Sequence, residues 1–191
     1  VDTDDFIKVI REDKKVKGLL YAGSERGFYI SFDGGNKWNK FQLNLPVVPV
    51  TDLVIHHNDL VASTAGRAFW ILDDLTPLQQ TKGETAALAN KLFPARPTIR
   101  MSGFTPWWLP DGIPGIGQNP LDGVMLYYSL KEKADTASTV KLEILDAQGK
   151  VVRAYSSKRD PSKAGSAAAG GGAPADPVLP GEAGLNRFAW D

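Results

Sequence analysis

"LYAGSERGFYISFD" (residues 20–33) and "LVASTAGRAFWILD" (60–73) superpose without a gap at an offset of 40. Leu20 meets Leu60, Ala22 meets Ala62, Ser24 meets Thr64, Tyr29 meets Phe69, and Asp33 meets Asp73. Self-similarity at this spacing indicates one supersecondary unit used twice. A further β-like run precedes each copy, "FIKVI" (6–10) and "TDLVI" (51–55), while the connectors that follow differ, "REDKKVKG" against "HHND". Loops vary where strands persist.

The pattern predicts strands at 6–10, 18–24, 27–33 and 37–43, then at 50–55, 59–64, 68–73 and 76–80. Short antiparallel units of up to four strands repeating at about 40–50 residues are the mark of β-propeller blades. The expected fold is therefore all-β, with residues 1–80 as two blades. Two blades cannot close a ring, and an open set leaves apolar flanks in water. The remaining blades are expected on the same precursor or on a partner chain.

Between the third and fourth strands of the first unit lies "SFDGGNKW" (31–38). A hairpin must reverse there, and Asp-Gly-Gly supplies the positive-φ residues that a tight reversal needs. Ser31 and Asp33 can accept turn amides, and Trp38 can fold its ring beneath the loop. A structural corner accounts for every group better than a catalytic loop does.

Composition narrows the function classes. Twenty-two basic and 22 acidic residues cancel in 191, so no global field favours nucleic acid or an anionic membrane. Forty-two per cent hydrophobic residues predict a core, and 19 glycines with 13 prolines predict many turns and little helix. The absence of cysteine removes disulfides, thiolate catalysis and cysteine-zinc sites. No apolar run approaches the roughly 20 residues of a membrane span, and the first residues lack the regions of a signal peptide.

Residues 31–38 fit the Asp-box pattern Ser-x-Asp-x-Gly-x-x-Trp through Ser31, Asp33, Gly35 and Trp38. With "LNLPVVPVTDLVIH", "DLVASTAGRAFWILDDLTPLQQ", "GQNPLDGVMLYYSLK" and "GLNRFAWD", the chain resembles the last two blades and following domain of BNR-repeat propeller proteins. These are the bacterial glycosyl hydrolase or sortilin-type propellers. The resemblance implies a C-terminal segment of a secreted or periplasmic protein with a scaffold or binding role toward a glycan or protein ligand. It implies no cofactor and no catalysis by this segment alone. Its enzymatic alternative is part of a sialidase-like or xyloglucanase-like glycoside hydrolase whose catalytic carboxylates lie mostly in other blades. Family members often carry His where this chain has Ala65, and they tend to continue beyond "NRFAWD".

Residues 81–120 read as a linker with a short helix at Glu84 to Leu92 and a Pro/Gly-rich loop over 102–123. Residues 121–191 read as part of a β-sandwich, with a hairpin at Asp146 to Gly149. The resemblance makes that sandwich immunoglobulin-like or fibronectin-like. The run 162–184 is low in complexity and predicts a long exposed loop at about 157–182. "GIPGIG" (112–117) lacks the leading strand of a dinucleotide loop and carries Pro114 inside it.

A glycosidase needs two carboxylates across a sugar bond, and a sialidase adds arginines. The candidates for ligand contact are Glu25, Arg26 and Arg67, with Trp107 and Trp108 as stacking platforms for a sugar ring or as a plug of the seam between propeller and sandwich. Asp73 and Asp74 are weaker candidates, because Asp73 repeats the turn residue Asp33. His56 and His57 have no metal-ligand spacing, and no metal site is expected. Tyr127 and Tyr128 point to opposite faces of a strand, which predicts that one of them is core.

Overall fold

The computed structural model describes residues 4–81, 90–99, 121, 123–135, 138–159 and 177–190. Among them the chain is mostly β-strand with one short helix, an all-β architecture. It divides into two compact units, Val1–Thr85 and Ala86–Asp191.

The first unit holds a four-stranded antiparallel sheet in the order β1 (Ile7–Glu12), β2 (Leu20–Ser24), β3 (Phe28–Ser31) and β4 (Asn39–Lys40). A three-stranded sheet follows, β5 (Val50–His56), β6 (Asp59–Thr64) and β7 (Phe69–Leu72). Each sheet is a run of hairpins, as short alternating strands joined by turn residues dictate. Their registers correspond closely. In each first strand the ladder shifts at the same place, between Ile7 and Val9 and between Val50 and Asp52.

The sheets pack face to face. Val9, Tyr21, Phe28 and Ile30 of the first meet Val50, Leu53, Leu60 and Ala62 of the second in one buried cluster. Polar contacts fix the relative placement of the two first strands, which run in the same direction. Arg11 Nε donates to the Leu53 carbonyl at 2.9 Å, and Lys14 Nζ donates to the Ile55 carbonyl.

Three features of this unit differ from the sequence expectation. β4 spans two residues instead of 37–43, because Gln42 leaves the ladder to accept the Phe28 amide and to donate to the Leu45 and Pro46 carbonyls. In place of a strand at 76–80 there is a helix, α1 (Thr76–Thr81). Asp74 adopts φ 59° and its carboxylate accepts the Thr76 amide, while Pro77 brings a preset φ to the first turn. Leu75, fully buried, ties the helix start to the core.

The third difference concerns the repeat. Ala22 faces Tyr29, but Ala62 faces Trp70 and not Phe69. The second hairpin turn is one residue longer: Ser24 N bonds the Gly27 carbonyl, whereas Thr64 N bonds the Ala68 carbonyl. The gapless match therefore slips by one residue after the turn. Phe69 takes the place of Phe28, Trp70 that of Tyr29, and Ile71 that of Ile30.

In the second unit, β8 (Lys91–Leu92), β9 (Val124–Leu130) and β12 (Gly184–Trp190) form an antiparallel sheet in the order β12-β9-β8. β10 (Lys141–Leu145) and β11 (Val151–Ser156) form a hairpin closed at Asp146 to Gly149, where Asp146 Oδ1 accepts the amides of Gln148 and Lys150. Tyr128, Tyr155, Leu179 and Phe188 are buried together, with Leu142 and Ile144 packed against them, so sheet and hairpin share a core.

Phe93, Met125 and Tyr127 form a second cluster on the opposite face of β9. Tyr127 and Tyr128 are thus both core, at 7 % and 6 % exposure, one in each of the two clusters. Lys91 and Leu92, expected in a helix, instead pair with Ser129 and Tyr128; residues 84–89 of that expected helix lie outside the described residues. Within the low-complexity run, Leu179 is 2 % exposed and the Pro180 carbonyl accepts the Tyr128 hydroxyl, so these two residues pack on the sheet; residues 160–176 of the expected loop lie outside the described residues.

Candidate functional site

The corner after β3 is built from its own side chains. Gly34 and Gly35 take φ 72° and 94°, which an L side chain rarely adopts, and so turn the chain. Ser31, fully buried, donates from Oγ to Asp33 Oδ1 at 2.8 Å and accepts the Gly35 amide at 3.0 Å. Asp33 Oδ1 also accepts the Lys37 amide at 2.9 Å. That amide, and then the Ser31 hydroxyl, hold the Asp33 carboxyl below its usual range. The half-buried Trp38 indole lies next to Gly35, as does Leu20. All four motif residues are thereby brought together, with Ser31 Oγ, Asp33 Oδ1 and the Gly35 amide engaged in the turn.

At the other end of β3 the chain assembles a second cluster. Asp5 is buried, and its Oδ2 accepts the Tyr29 hydroxyl at 2.7 Å and the Ser24 hydroxyl at 2.8 Å. Its Oδ1 accepts the Arg26 amide at 3.0 Å. Burial pushes this carboxyl up, but those hydrogen bonds and the Arg26 charge outweigh it and leave the group below its ordinary value. Glu25 pairs with Lys8 at 2.7 Å and not with its neighbour Arg26.

Arg67 is exposed in the β6–β7 turn, where its carbonyl accepts the Trp70 indole N–H at 2.9 Å. That turn lies at the same end of its sheet as the one carrying Glu25 and Arg26, opposite the Asp33 corner. Trp107 and Trp108 lie outside the described residues. His56 and His57 are both exposed, with ring centroids 4.2 Å apart. Among the described residues, no group of three or more His, Cys, Asp or Glu could hold a metal, and no helix is long and apolar enough to cross a membrane.

Sequence reasoning missed Asp5, Ser24 and Tyr29 as a cluster. One signal was present: the repeated hydroxyl of Ser24 and Thr64 binds its turn in both sheets, at Gly27 and Ala68. It also missed the buried network at the opposite end. There Asp13 accepts the Tyr21 hydroxyl, the Lys15 and Val16 amides and the Gln79 side chain. Burial first, then the Asp13 charge, push the Tyr21 phenol up. Asn58 links this network to Asp74 and Thr76.

A shallow groove of about 60 Å³ opens beside β7. Phe28, Phe41, Leu60, Trp70 and Leu72 line it, and none of its lining residues is charged. No protein-family model, curated protein or solved structure matches the chain.

Proposed function

We propose that this chain is a segment of an extracytoplasmic BNR-repeat β-propeller, secreted or periplasmic, serving as scaffold or binding surface for a glycan or protein ligand and not catalytic by itself. In this reading the second unit is the immunoglobulin-like or fibronectin-like sandwich that follows the blades. The observation that carries it is a broken symmetry between the two sheets. Phe28 and Ile30 are 5 % and 2 % exposed against the second sheet, while their counterparts Phe69 and Ile71 are 74 % and 60 % exposed. On the other flank, Ile7 and Ile10 are 39 % and 48 % exposed, while their counterparts Val50 and Leu53 are fully buried against the first sheet.

Each outer flank thus presents half of the interface that the two sheets already make with each other. A head-to-tail contact of this kind repeats until the rotation closes. Further sheets on both sides would bury the exposed part of these four residues, each gaining a fraction of the about 1.5–3 kcal/mol that full burial is worth. The Asp33 corner supports the same reading, because its groups are spent on the turn. The engagement of Asp5, Asp33 and Glu25 with hydroxyls, amides and Lys8 favours binding over glycoside hydrolysis.

The test is the native mass of the particle that contains this chain, followed by glycan and peptide arrays. A particle carrying additional Asp-box sheets, and saturable binding without turnover, is the expected result. A monomeric, cooperatively folded 191-residue chain with no associated sheets overturns the propeller. Release of reducing sugar, lost on replacing one of these carboxylates, overturns the non-catalytic role.

A further inference from the structure

β3 is completed on its outer side by β4, with the Phe28 carbonyl accepting the Phe41 amide at 2.8 Å. β7 is the counterpart of β3, and among the described residues it pairs only with β6. Asp74 turns the chain into α1 where the first sheet supplies its fourth strand. By the correspondence with Phe28, the backbone groups of Phe69 and Ile71 are those that point away from β6. A row of unpaired N–H and C=O groups on an apolar strand is a template for another strand.

The groove beside this edge continues the interface between the two sheets, since Phe28, Leu60 and Ala62 belong both to the core and to its lining. We propose that β7 binds an extended peptide segment of a partner protein, added antiparallel to Phe69–Leu72 as a fourth strand. Strand addition draws affinity from main-chain hydrogen bonds and specificity from pockets for alternate side chains. Side chains alternate along a strand, so the two partner residues opposite Trp70 and Leu72 point into the groove. With no charged residue in its lining, and Gln42 and Asn44 as its polar members, the groove favours uncharged, mainly apolar side chains at those two positions, one of them seated in its shallow cavity. Both neighbours on the far face are apolar and exposed, Phe69 and Ile71, so β-branched residues suit the alternate positions. This inference stands on the edge and the groove, and it holds whether or not the sheets belong to a propeller.

The probe is the blocked peptide acetyl-Lys-Thr-Phe-Thr-Leu-Thr-Lys-amide titrated into the full chain, with amide exchange read residue by residue. Exchange of the Phe69 and Ile71 amides is expected to slow saturably, by about tenfold or more, while the Val61 amide is unchanged. A peptide N-methylated at the residues that bond β7 is expected to give no protection, a control that leaves the protein's folding untouched. Trp70→Ala is expected to weaken peptide binding about tenfold or more with the β5–β6 amides still protected. Three outcomes overturn the proposal: exchange at Phe69 and Ile71 that ignores the peptide, equal binding of the N-methylated peptide, and binding indifferent to Trp70→Ala. Protection that rises with protein concentration in the absence of peptide would also overturn it, by assigning the edge to a second copy of this chain.

Discussion

Gly23 and Val50 are in such close contact across the two sheets that a methyl group added to Gly23 would sit 2.6 Å from Val50 Cγ1 and 2.8 Å from its Cβ. Val9 Cγ1 would lie at 2.9 Å on the other side. Real Cβ contacts of this kind do not occur, so Gly23→Ala must push the sheets apart or rotate Val50. Overpacking costs about 1–3 kcal/mol, and that loss is expected in the urea midpoint of the first unit. Val50→Ala removes Cγ1 but keeps Cβ, so the double variant should recover only part of it. Additive costs would place the strain elsewhere.

Asp33 gives the fold an acid-side dependence. Its carboxyl is lowered in the folded state, so the contribution is present above the unfolded value of about 4 and is lost as pH falls through the folded value. Asp5, also lowered, adds to the same window. Asp33→Asn keeps an acceptor for the Lys37 amide but cannot ionise. Its stability curve between about pH 2 and 5 should therefore slope less than that of the parent chain, with a remainder from Asp5. Parallel curves would show that the Asp33 corner does not couple to folding.

What could be read from the sequence divides along the distance between partners. Alternating apolar residues and turn chemistry located β2, β3, β5, β6, β9 and the hairpin at Asp146 to Gly149, because those signals act over a few residues. The Asp33 corner is nearly as local: its side-chain bonds lie within residues 31–38, and only the Gly34 amide reaches out, to the Gly18 carbonyl. Lys91 finds Ser129, and Gln79 finds Asp13 66 residues away; no local pattern announces either contact. The slip at Trp70 arises from one extra turn residue, which a gapless comparison conceals. One miss was avoidable, since Asp74 two residues before Thr76-Pro77 is a helix start, and the alternation expected at 76–80 overrode it.

Asn58 holds the end of the first unit together. It is 4 % exposed, its Nδ2 donates to Asp74 Oδ1 and Thr76 Oγ1, each at 3.0 Å, and its Oδ1 accepts Lys15 Nζ and Gln79 Nε2. Asn58→Ala removes four contacts at once, although Asp74 keeps the Thr76 amide and Gln79 keeps Asp13, and the loss should be about 1–3 kcal/mol. Faster amide exchange at Gln79 in α1 should report it. Gln79→Ala should cost less, because Asp13 keeps the Tyr21 hydroxyl and the Lys15 and Val16 amides. The reverse order would mean that Asp13, not Asn58, anchors the helix.

Phe188 plays the corresponding part in the second unit, by packing and not by hydrogen bonds. Its ring lies 4.7 Å from that of Tyr155 at 58°, which joins β12 to the β10–β11 hairpin. Tilted aromatic pairs at this separation add about 0.5–1.5 kcal/mol to their burial. Phe188→Ala loses both terms and leaves a cavity, so about 3–5 kcal/mol should disappear from the unfolding of this unit. Phe188→Leu fills most of the space without the ring contact, and its cost should fall below about 1.5 kcal/mol. Near-ultraviolet circular dichroism, followed through denaturation, separates the two because Tyr155 sits in the affected cluster. Equal costs for Ala and Leu would mean that the ring contact, not the filled volume, holds the hairpin to the sheet.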